Sequence, residues 1–329
     1  MIVDQTLNQI QQNNINQVLE NSGIDISKIN ESDSGDILNF PDILHKILSE
    51  KYNTSLLWQI CDVFPINGTL GRLYASKKKF QQNDFEIVKK DIVPQTYKIS
   101  SGFTKEVMDD MKNMFGKSAK ESISNMLRGV TDWEENMNLM DFIENNAEEK
   151  PELILTADPR DDVLLITQKI GKYVMEMNKY AYKTKEAWAI LPRKYIGVFA
   201  GYWGGFRMDD TDNEKYLYLG KFGRIHLYID PRDINETRGE FTNDFNDDYD
   251  LDNVVDLDHI YVGLRNEKTP GEGSLVFSPY QYHLEYVTDP DTGQMILHLF
   301  DRYGLETGIF HKSLERNSML YKFKISRII

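Results

Sequence analysis

The chain has one cysteine in 329 residues, which excludes internal disulfides and zinc sites of the multi-cysteine kind. That residue, Cys61, lies in an apolar run, so an inert buried thiol is expected. The six histidines are scattered, with no close pair at metal-ligand spacing. His226, His259, His283 and His298 fall in or beside expected strands, where a satisfied structural histidine is the plainer account. No apolar run approaches the roughly 20 residues that cross a bilayer. The opening MIVDQTLNQIQQNN lacks a basic stretch followed by an apolar core, so no signal peptide is expected. Walker, H-E-x-x-H, C-x-x-C and G-x-S-x-G motifs are missing. Gly201-Tyr202-Trp203-Gly204-Gly205 reads as a tight turn, because its aromatics would obstruct a phosphate cradle. No catalytic residue, metal ligand or cofactor is assigned, and a soluble protein of a reducing compartment is expected.

What is present is an apolar share of 40%, with 16 Phe and 18 Tyr. That suffices for a sizeable core in one large or two ordinary domains. The net charge of -14 is unevenly placed. Residues 240–258 carry acids and no Lys or Arg, and residues 130–162 are nearly as acidic. Residues 71–98 hold Arg72, Lys77, Lys78, Lys79, Lys89, Lys90 and Lys98 against Asp84, Glu86 and Asp91. An acidic total argues against wrapping nucleic acid, which needs cations facing phosphates. Asp244, Asn246 and Asp248 have the alternate oxygen spacing of a calcium loop. The glycine of its sharp turn is missing and the twelfth position is Val255, so a solvated acidic loop is the plainer account.

Local patterns place the elements. Leu7, Ile10, Val18 and Leu19 line one weak helical face that Asn21-Ser22-Gly23 stops, and a second short helix is expected around Ile43–Leu48. Residues 1–50 read as an arm that needs a partner surface to become ordered. The compact apolar run 56–66 ends at the turn Asn67-Gly68, and 72–98 reads as an exposed, partly hairpin-like excursion. Between 104 and 147, Ser118 with Glu121 and Thr131 with Glu134 fit capping boxes, so two helices separated at Gly129 are expected. The clearest helix runs from Pro159 to about Thr184, capped by Asp158, with Asp161 and Asp162 at its positive end. Val163, Ile166, Ile170, Tyr173, Val174, Met177 and Ala181 form its buried stripe, and Lys179, Lys183 and Lys185 complement its negative end. From 186 onward strands dominate. Hairpins are expected around Gly220-Lys221-Phe222-Gly223 and around Asp289-Pro290-Asp291-Thr292-Gly293, with His226 on the wetter side.

Four stretches carry a resemblance, in order: ICDVFPINGTLGR (60–72), MEMNKY (175–180), AWAILPRKYIGVFAG (187–201), and VFSPYQY with DRYGL near the end. Together they resemble the major capsid protein of T-even-type tailed bacteriophages. The positions that carry the likeness are Cys61, Pro65, Asn67, Pro279, Tyr280, Arg302, Tyr303 and Gly304, whereas Asp62 and Phe64 depart from the family pattern.

The resemblance implies an α+β Hong Kong 97-type capsid fold with a long spine helix, an extended loop, and peripheral and axial domains. The division it suggests is an N-terminal arm (1–55), a first peripheral strand with the extended loop (56–100) and a helical, reduced insertion region (101–150). A spine helix (151–186), an axial domain (187–298) and a C-terminal return (299–329) complete it. It implies a structural subunit of a phage head, not an enzyme, made in the bacterial cytoplasm and residing in the virion. It implies self-assembly into hexameric capsomers around the DNA genome. The partners it implies are copies of itself, with vertex protein, portal, scaffold, maturation protease and decoration proteins as further candidates. No membrane or specific nucleic-acid partner is expected. Arg72, Lys77, Lys78, Lys79, Lys89 and Lys90 would contact a neighbour, with Asp132, Glu134, Glu135, Glu148 and Glu149 as the acidic partner surface. Glu31 and Glu50 fit the family's loose processing pattern. A pentameric vertex protein of the same family stays open, as do an acidic carbohydrate-acting enzyme and a calcium-binding adhesion module.

Overall fold

The computed structural model describes residues 2–24, 48–49, 51, 55–78, 85–103, 119–156, 158–178, 186–195, 199, 217–232, 258–266, 269–288, 295–309 and 319–327. Two compact units divide the chain. The first comprises Met1–Gln59, Val63–Glu135 and Val276–Glu306; the second comprises Ile60–Asp62, Asn136–Leu275 and Thr307–Ile329.

The first unit begins with helix α1 (Ile2–Asn21). It stops where the sequence places the stop, because Gly23 takes φ 78°, a conformation that suits glycine. The Ile24 and Gly23 amides then reach back to the carbonyls of Leu19 and Glu20, closing a Schellman cap. Ile15, Val18 and Leu19 are buried. The Asn21 amide donates to the carbonyls of Ile66 and Tyr280, both at 2.8 Å, and Ser22 Oγ accepts from the Tyr282 amide. The expectation of an arm that orders only on a partner is therefore corrected for residues 15–24. Their apolar and polar partners lie in their own unit. The short helix around Ile43–Leu48 lies largely outside the described residues.

The apolar run 56–66 splits into a short helix α2 (Leu56–Ile60) and strand β1 (Asp62–Val63). Strands β2 (Gly71–Lys78) and β3 (Phe85–Ile92) form an antiparallel ribbon of their own, with Gly71 opposite Ile92 and Lys78 opposite Phe85. This is the expected excursion. Strand β4 (Gln95–Phe103) closes one side of a four-stranded sheet. Its order is β1-β10-β11-β4, with β10 at Leu275–Thr288 and β11 at Met295–Thr307. The neighbouring β10 and β11 agree with the second expected hairpin, whose turn residues lie outside the described ones.

Helix α3 (Ala119–Asn146) is continuous. The expected break at Gly129 and the Thr131 cap are both overturned. Thr131, Asp132, Glu135, Asn136, Leu139, Met140 and Ile143 are buried at three- and four-residue steps. Burial of that stripe outweighs the roughly 1 kcal/mol that an internal glycine costs a helix. Ser118, the other expected cap, lies outside the described residues.

In the second unit β5 (Glu148–Leu155) lies across the expected boundary between 150 and 151. Helix α4 (Pro159–Asn178) follows. Its start is as the sequence reads: Asp158 Oδ1 accepts the Arg160 amide at 2.9 Å, while buried Asp162 accepts the amide and hydroxyl of Thr156. Val163, Ile166, Ile170, Tyr173 and Met177 form the buried stripe. The described helix has 20 residues, about 30 Å of rod; Lys179, Ala181, Lys183 and Lys185 lie outside the described residues. The longest described helix is α3, at 28 residues, and not α4.

Helix α4 packs on β5 and β9 of a six-stranded sheet ordered β5-β12-β9-β6-β8-β7. Its remaining strands are β6 (Glu186–Leu191), β7 (Tyr218–Phe222), β8 (Ile225–Ile229), β9 (His259–Arg265) and β12 (Leu320–Arg327). The pairs β5/β12 and β6/β8 are parallel, and the others antiparallel. The first expected hairpin forms, but it turns at Gly223, where φ is 59°, so Gly220 to Phe222 join strand β7. His226 is half-exposed, as expected, with Nε2 3.8 Å from Glu186.

Trp188 on β6 stands opposite Gly263 on β9, and its indole occupies the space a side chain there would need. A Cβ at Gly263 would sit 2.2 Å from the ring. Gly263→Ala should therefore destabilise the protein by about 1–3 kcal/mol, through displacement of Trp188. A lower urea midpoint with blue- or red-shifted tryptophan emission is the expected observation, and an unchanged midpoint would contradict this packing.

Candidate functional site

Of the positions that carry the likeness, all but Cys61 fall in the first unit. The Phe64 amide donates to the Phe277 carbonyl at 2.8 Å, and that of Ile66 to the Pro279 carbonyl at 3.2 Å. Pro65 and Asn67 are thus set beside Ser278-Pro279-Tyr280. Asn67 Oδ1 also accepts from Gln17 of α1. The neighbouring β11 contributes Arg302, whose guanidinium lies 5.1 Å from the Tyr280 ring centre. Tyr303 stacks on Tyr97 at 4.7 Å and approaches Phe277 at 5.5 Å; Phe277 in turn meets the Trp58 ring edge-on. At Gly304 a Cβ would lie 2.4 Å from Ile92 Cγ2, so the glycine permits a close approach to β3. These motifs are packing devices: none presents a nucleophile or a paired acid and base.

Beneath them is a buried ionic centre that sequence reasoning missed. Lys51 is 1% exposed. Its ammonium lies 3.0 Å from Asp301 Oδ2 of β11, in contact with Glu135 of α3, and 3.7 Å from Asp132. Ser55 Oγ donates to Glu135 Oε2 at 3.2 Å, and the ammonium sits 4.6 Å from the centre of the Tyr282 ring. Val18, Leu48, Trp58, Phe277 and Pro279 complete the apolar wall. Burial disfavours the ammonium, but Asp301, Glu135, Tyr282 and Asp132 outweigh it and raise the Lys51 pKa well above the lysine range. Burial pushes the Glu135 carboxyl well above the ordinary carboxylate value. Lys51 opposes this shift, while Asp301 and Asp132 add to it. With more carboxylates than cations in one dry pocket, Glu135 is the group that keeps a proton. Burial also holds the Tyr282 phenol in its neutral form.

The second missed residue is Asp62, in the second unit. Its carboxylate accepts the backbone amides of Asn266, Gly271 and Gly273 at 2.5, 3.0 and 2.6 Å. A Cβ on Gly273 would meet Asp62 Oδ1 at 2.3 Å, so the loop can close on the carboxylate only with glycine there. A departure from the family pattern thus becomes an anchor for the turn between β9 and β10. A lone carboxylate inside LLWQICDVFPI was the available signal. Next to it, Cys61 is fully buried. Burial and the Asp62 charge raise its thiol pKa well above the usual value, against Arg265, which leaves it unreactive.

The expected contact residues separate. On the ribbon, Arg72 and Lys89 both approach Asp91, at 3.4 and 3.0 Å, and Lys90 lies 2.9 Å from Glu306. Lys77 and Lys78 hold positions on β2 opposite Glu86 and Phe85, while Lys79 lies outside the described residues. Of the expected acidic partner surface, Asp132 and Glu135 are corrected. They are 5% and 2% exposed and belong to the Lys51 centre, so they cannot face a neighbour. Glu134 is half-buried, Glu148 bonds Lys150 at 2.7 Å, and Glu149 is exposed. Glu31, Glu50 and the acidic run up to residue 257 lie outside the described residues. Asp258 takes Lys194 at 2.5 Å. Among the described residues no His, Cys, Asp and Glu group is arranged to hold a metal, and no helix is long and apolar enough to cross a membrane.

Comparison with known proteins gives a consistent result. The family described as "Major capsid protein Gp23" matches residues 20–186. No curated protein matches the chain. Among solved structures, the chain is similar to a virus-like particle from Pyrococcus furiosus, with a TM-score of 0.52 at 11% identity. That match covers 88% of this chain and 100% of the other. The holo-SrpI encapsulin complex from Synechococcus elongatus gives 0.51 at 11% identity, covering 91% and 94%. A Mycobacterium phage Bobi chain gives 0.50 at 9% identity, covering 84% and 91%. At these identities the likeness establishes the fold, the Hong Kong 97-type α+β architecture expected above.

The Lys51 centre sets two expectations. Lys51→Met leaves the buried carboxylates without their ammonium, so it should cost about 3–5 kcal/mol in urea unfolding at neutral pH. The pH dependence follows from both shifts. The contribution of Glu135, whose folded pKa is raised, is complete below about 4.3 and is lost as pH climbs through the folded value. That of Lys51 persists through neutral pH and is lost only above about 10.4. Stability should therefore fall as pH rises above about 4.3 toward the raised folded value of Glu135, and Glu135→Gln should flatten that limb. Thermal melts of both proteins across this range test it, and identical slopes would refute the assignment.

Proposed function

The chain belongs to the Gp23 major capsid protein family and is a structural subunit of a phage head, and from that premise we propose how it joins its neighbours. Self-assembly into a shell is the family role. The finer reading is that the β2–β3 ribbon lies over an adjacent copy within hexameric capsomers. The observation that carries it is the ribbon itself. Among the described residues it pairs with no third strand, yet Tyr74 and Ile87 are 62% and 72% exposed. An isolated two-stranded ribbon is marginal in water, and a covering surface would bury those side chains.

The cations of the ribbon would then meet acids of the neighbour. With Asp132 and Glu135 withdrawn into the Lys51 centre, the exposed candidates are Asp141, Glu149, Glu152, Asp158 and Asp161. Exposed pairs contribute only about 0–1 kcal/mol each, so they set register while apolar burial supplies the association free energy. The spine role falls to α3 in this reading and not to α4. Helix α3 is longer and contributes residues to the unit that carries the ribbon, whereas α4 belongs with the six-stranded sheet, the axial domain of this reading. Processing after Glu31 or Glu50 would remove α1, and a cut after Glu50 would make Lys51 the first residue of the mature chain.

Replacement of Lys77, Lys78 and Lys79 together by Glu tests the ribbon. The subunit should stay soluble with an unchanged melting temperature while shell yield in negative-stain images falls steeply. Normal particles from the triple variant would overturn the ribbon's role but leave the family role untouched.

A further inference from the structure

The Lys51 centre brings together an amine, a carboxyl group and a second carboxyl that touches both, in a pocket walled by Trp58, Phe277 and Tyr282. We propose that Lys51 and Asp301 condense into an intramolecular isopeptide bond, with Glu135 as the proton carrier.

The geometry assigns the roles. Lys51 Nζ is 3.0 Å from Asp301 Oδ2, so the nitrogen is already in hydrogen-bond contact with the carboxyl group whose carbon it would attack. Glu135 contacts Lys51, shares a hydrogen bond with Asp301, and is itself held by the Ser55 hydroxyl. A central carboxyl in contact with both reactants can take a proton from one and give it to the other. Asp301 therefore supplies the carbonyl, and Glu135 does not.

The step balances. Glu135 passes its proton to the Asp301 carboxylate as it takes one from the Lys51 ammonium, and the resulting amine attacks Cγ of the Asp301 carboxyl group. The Cγ–O bond breaks as Glu135 protonates the departing hydroxyl, and the second nitrogen proton returns to Glu135. An ammonium, a carboxylate and a carboxylic acid become an amide, a carboxylic acid and one water. No oxidant, reductant or co-reactant is needed.

Two physical terms favour the product. Amide formation in bulk water is opposed by the solvent, but groups held in contact reach effective molarities of about 10⁵–10⁸ M. Condensation also removes an ammonium and a carboxylate from an apolar pocket, where each is costly to keep. The carboxylates that hold Lys51 protonated make the proton handover slow, so the bond forms after folding and accumulates with time. Lys51 and Asp301 are 250 residues apart. The bond would fasten the chain just ahead of α2 covalently to β11, a staple in a subunit whose shell bears load.

Denaturing intact-mass spectrometry of the purified full chain, fresh and after prolonged incubation, tests this. The expected result is a species lighter by one water that grows with time. Tandem spectra should show a branched peptide joining Lys51 to Asp301. Lys51→Arg should abolish it, and Glu135→Gln should slow it by at least about 100-fold. Asp301→Asn provides a second arm, because the same attack on an amide expels ammonia. Full mass in both the folded wild type and folded Asp301→Asn after incubation would overturn the proposal. So would bond formation at an unchanged rate in Glu135→Gln, or a branched peptide joining Lys51 to Glu135.

Discussion

One ammonium facing three carboxyl groups in a dry pocket is the constraint around which the first unit closes. The partners arrive from distant parts of the chain: Lys51 from the segment ahead of α2, Asp132 and Glu135 from α3, and Asp301 from β11. A buried charge is tolerated only with its counter-charges and hydrogen bonds in place. Correct docking of the helix, the sheet and the N-terminal segment is therefore one condition and not three. The aromatic wall of Trp58, Phe277 and Tyr282 contributes apolar burial, but apolar contacts slide, and the charges supply the directionality that fixes register.

The second unit meets the same requirement differently. Asp62 has three backbone amides rather than cations around it, so its charge is satisfied by directional donors from one loop. Together these devices leave Cys61 sealed and hold their own charges inside. A lattice-forming subunit needs that division: a rigid interior, and outer faces whose charges and exposed side chains are free for neighbours.

Legibility varied with the range of the interaction. The stop of α1 at Asn21-Ser22-Gly23 and the Asp158 cap of α4 were readable, because each is decided within about six residues. The same local logic failed at Gly129 and Thr131, where burial of the α3 stripe overrides a helix-weakening residue. It also failed for Asp132 and Glu135, which read as part of a solvated acidic face. A run of like charges says nothing about which members turn inward. Lys51 carried no signal at all, since its partners are 84 and 250 residues away.

By itself the sequence determined the class of the protein. An ordered series of short motifs carried the resemblance to a family of shell-forming subunits, and the mixed helix and strand pattern agreed with the α+β fold that the resemblance implies. Periodicity and capping are local properties, and motif order survives without any knowledge of contacts. Only the tertiary structure decided which charges are spent inside. Burial depends on where a helix face lands, and neither Lys51 nor Asp62 shows its partners until the chain has folded around it.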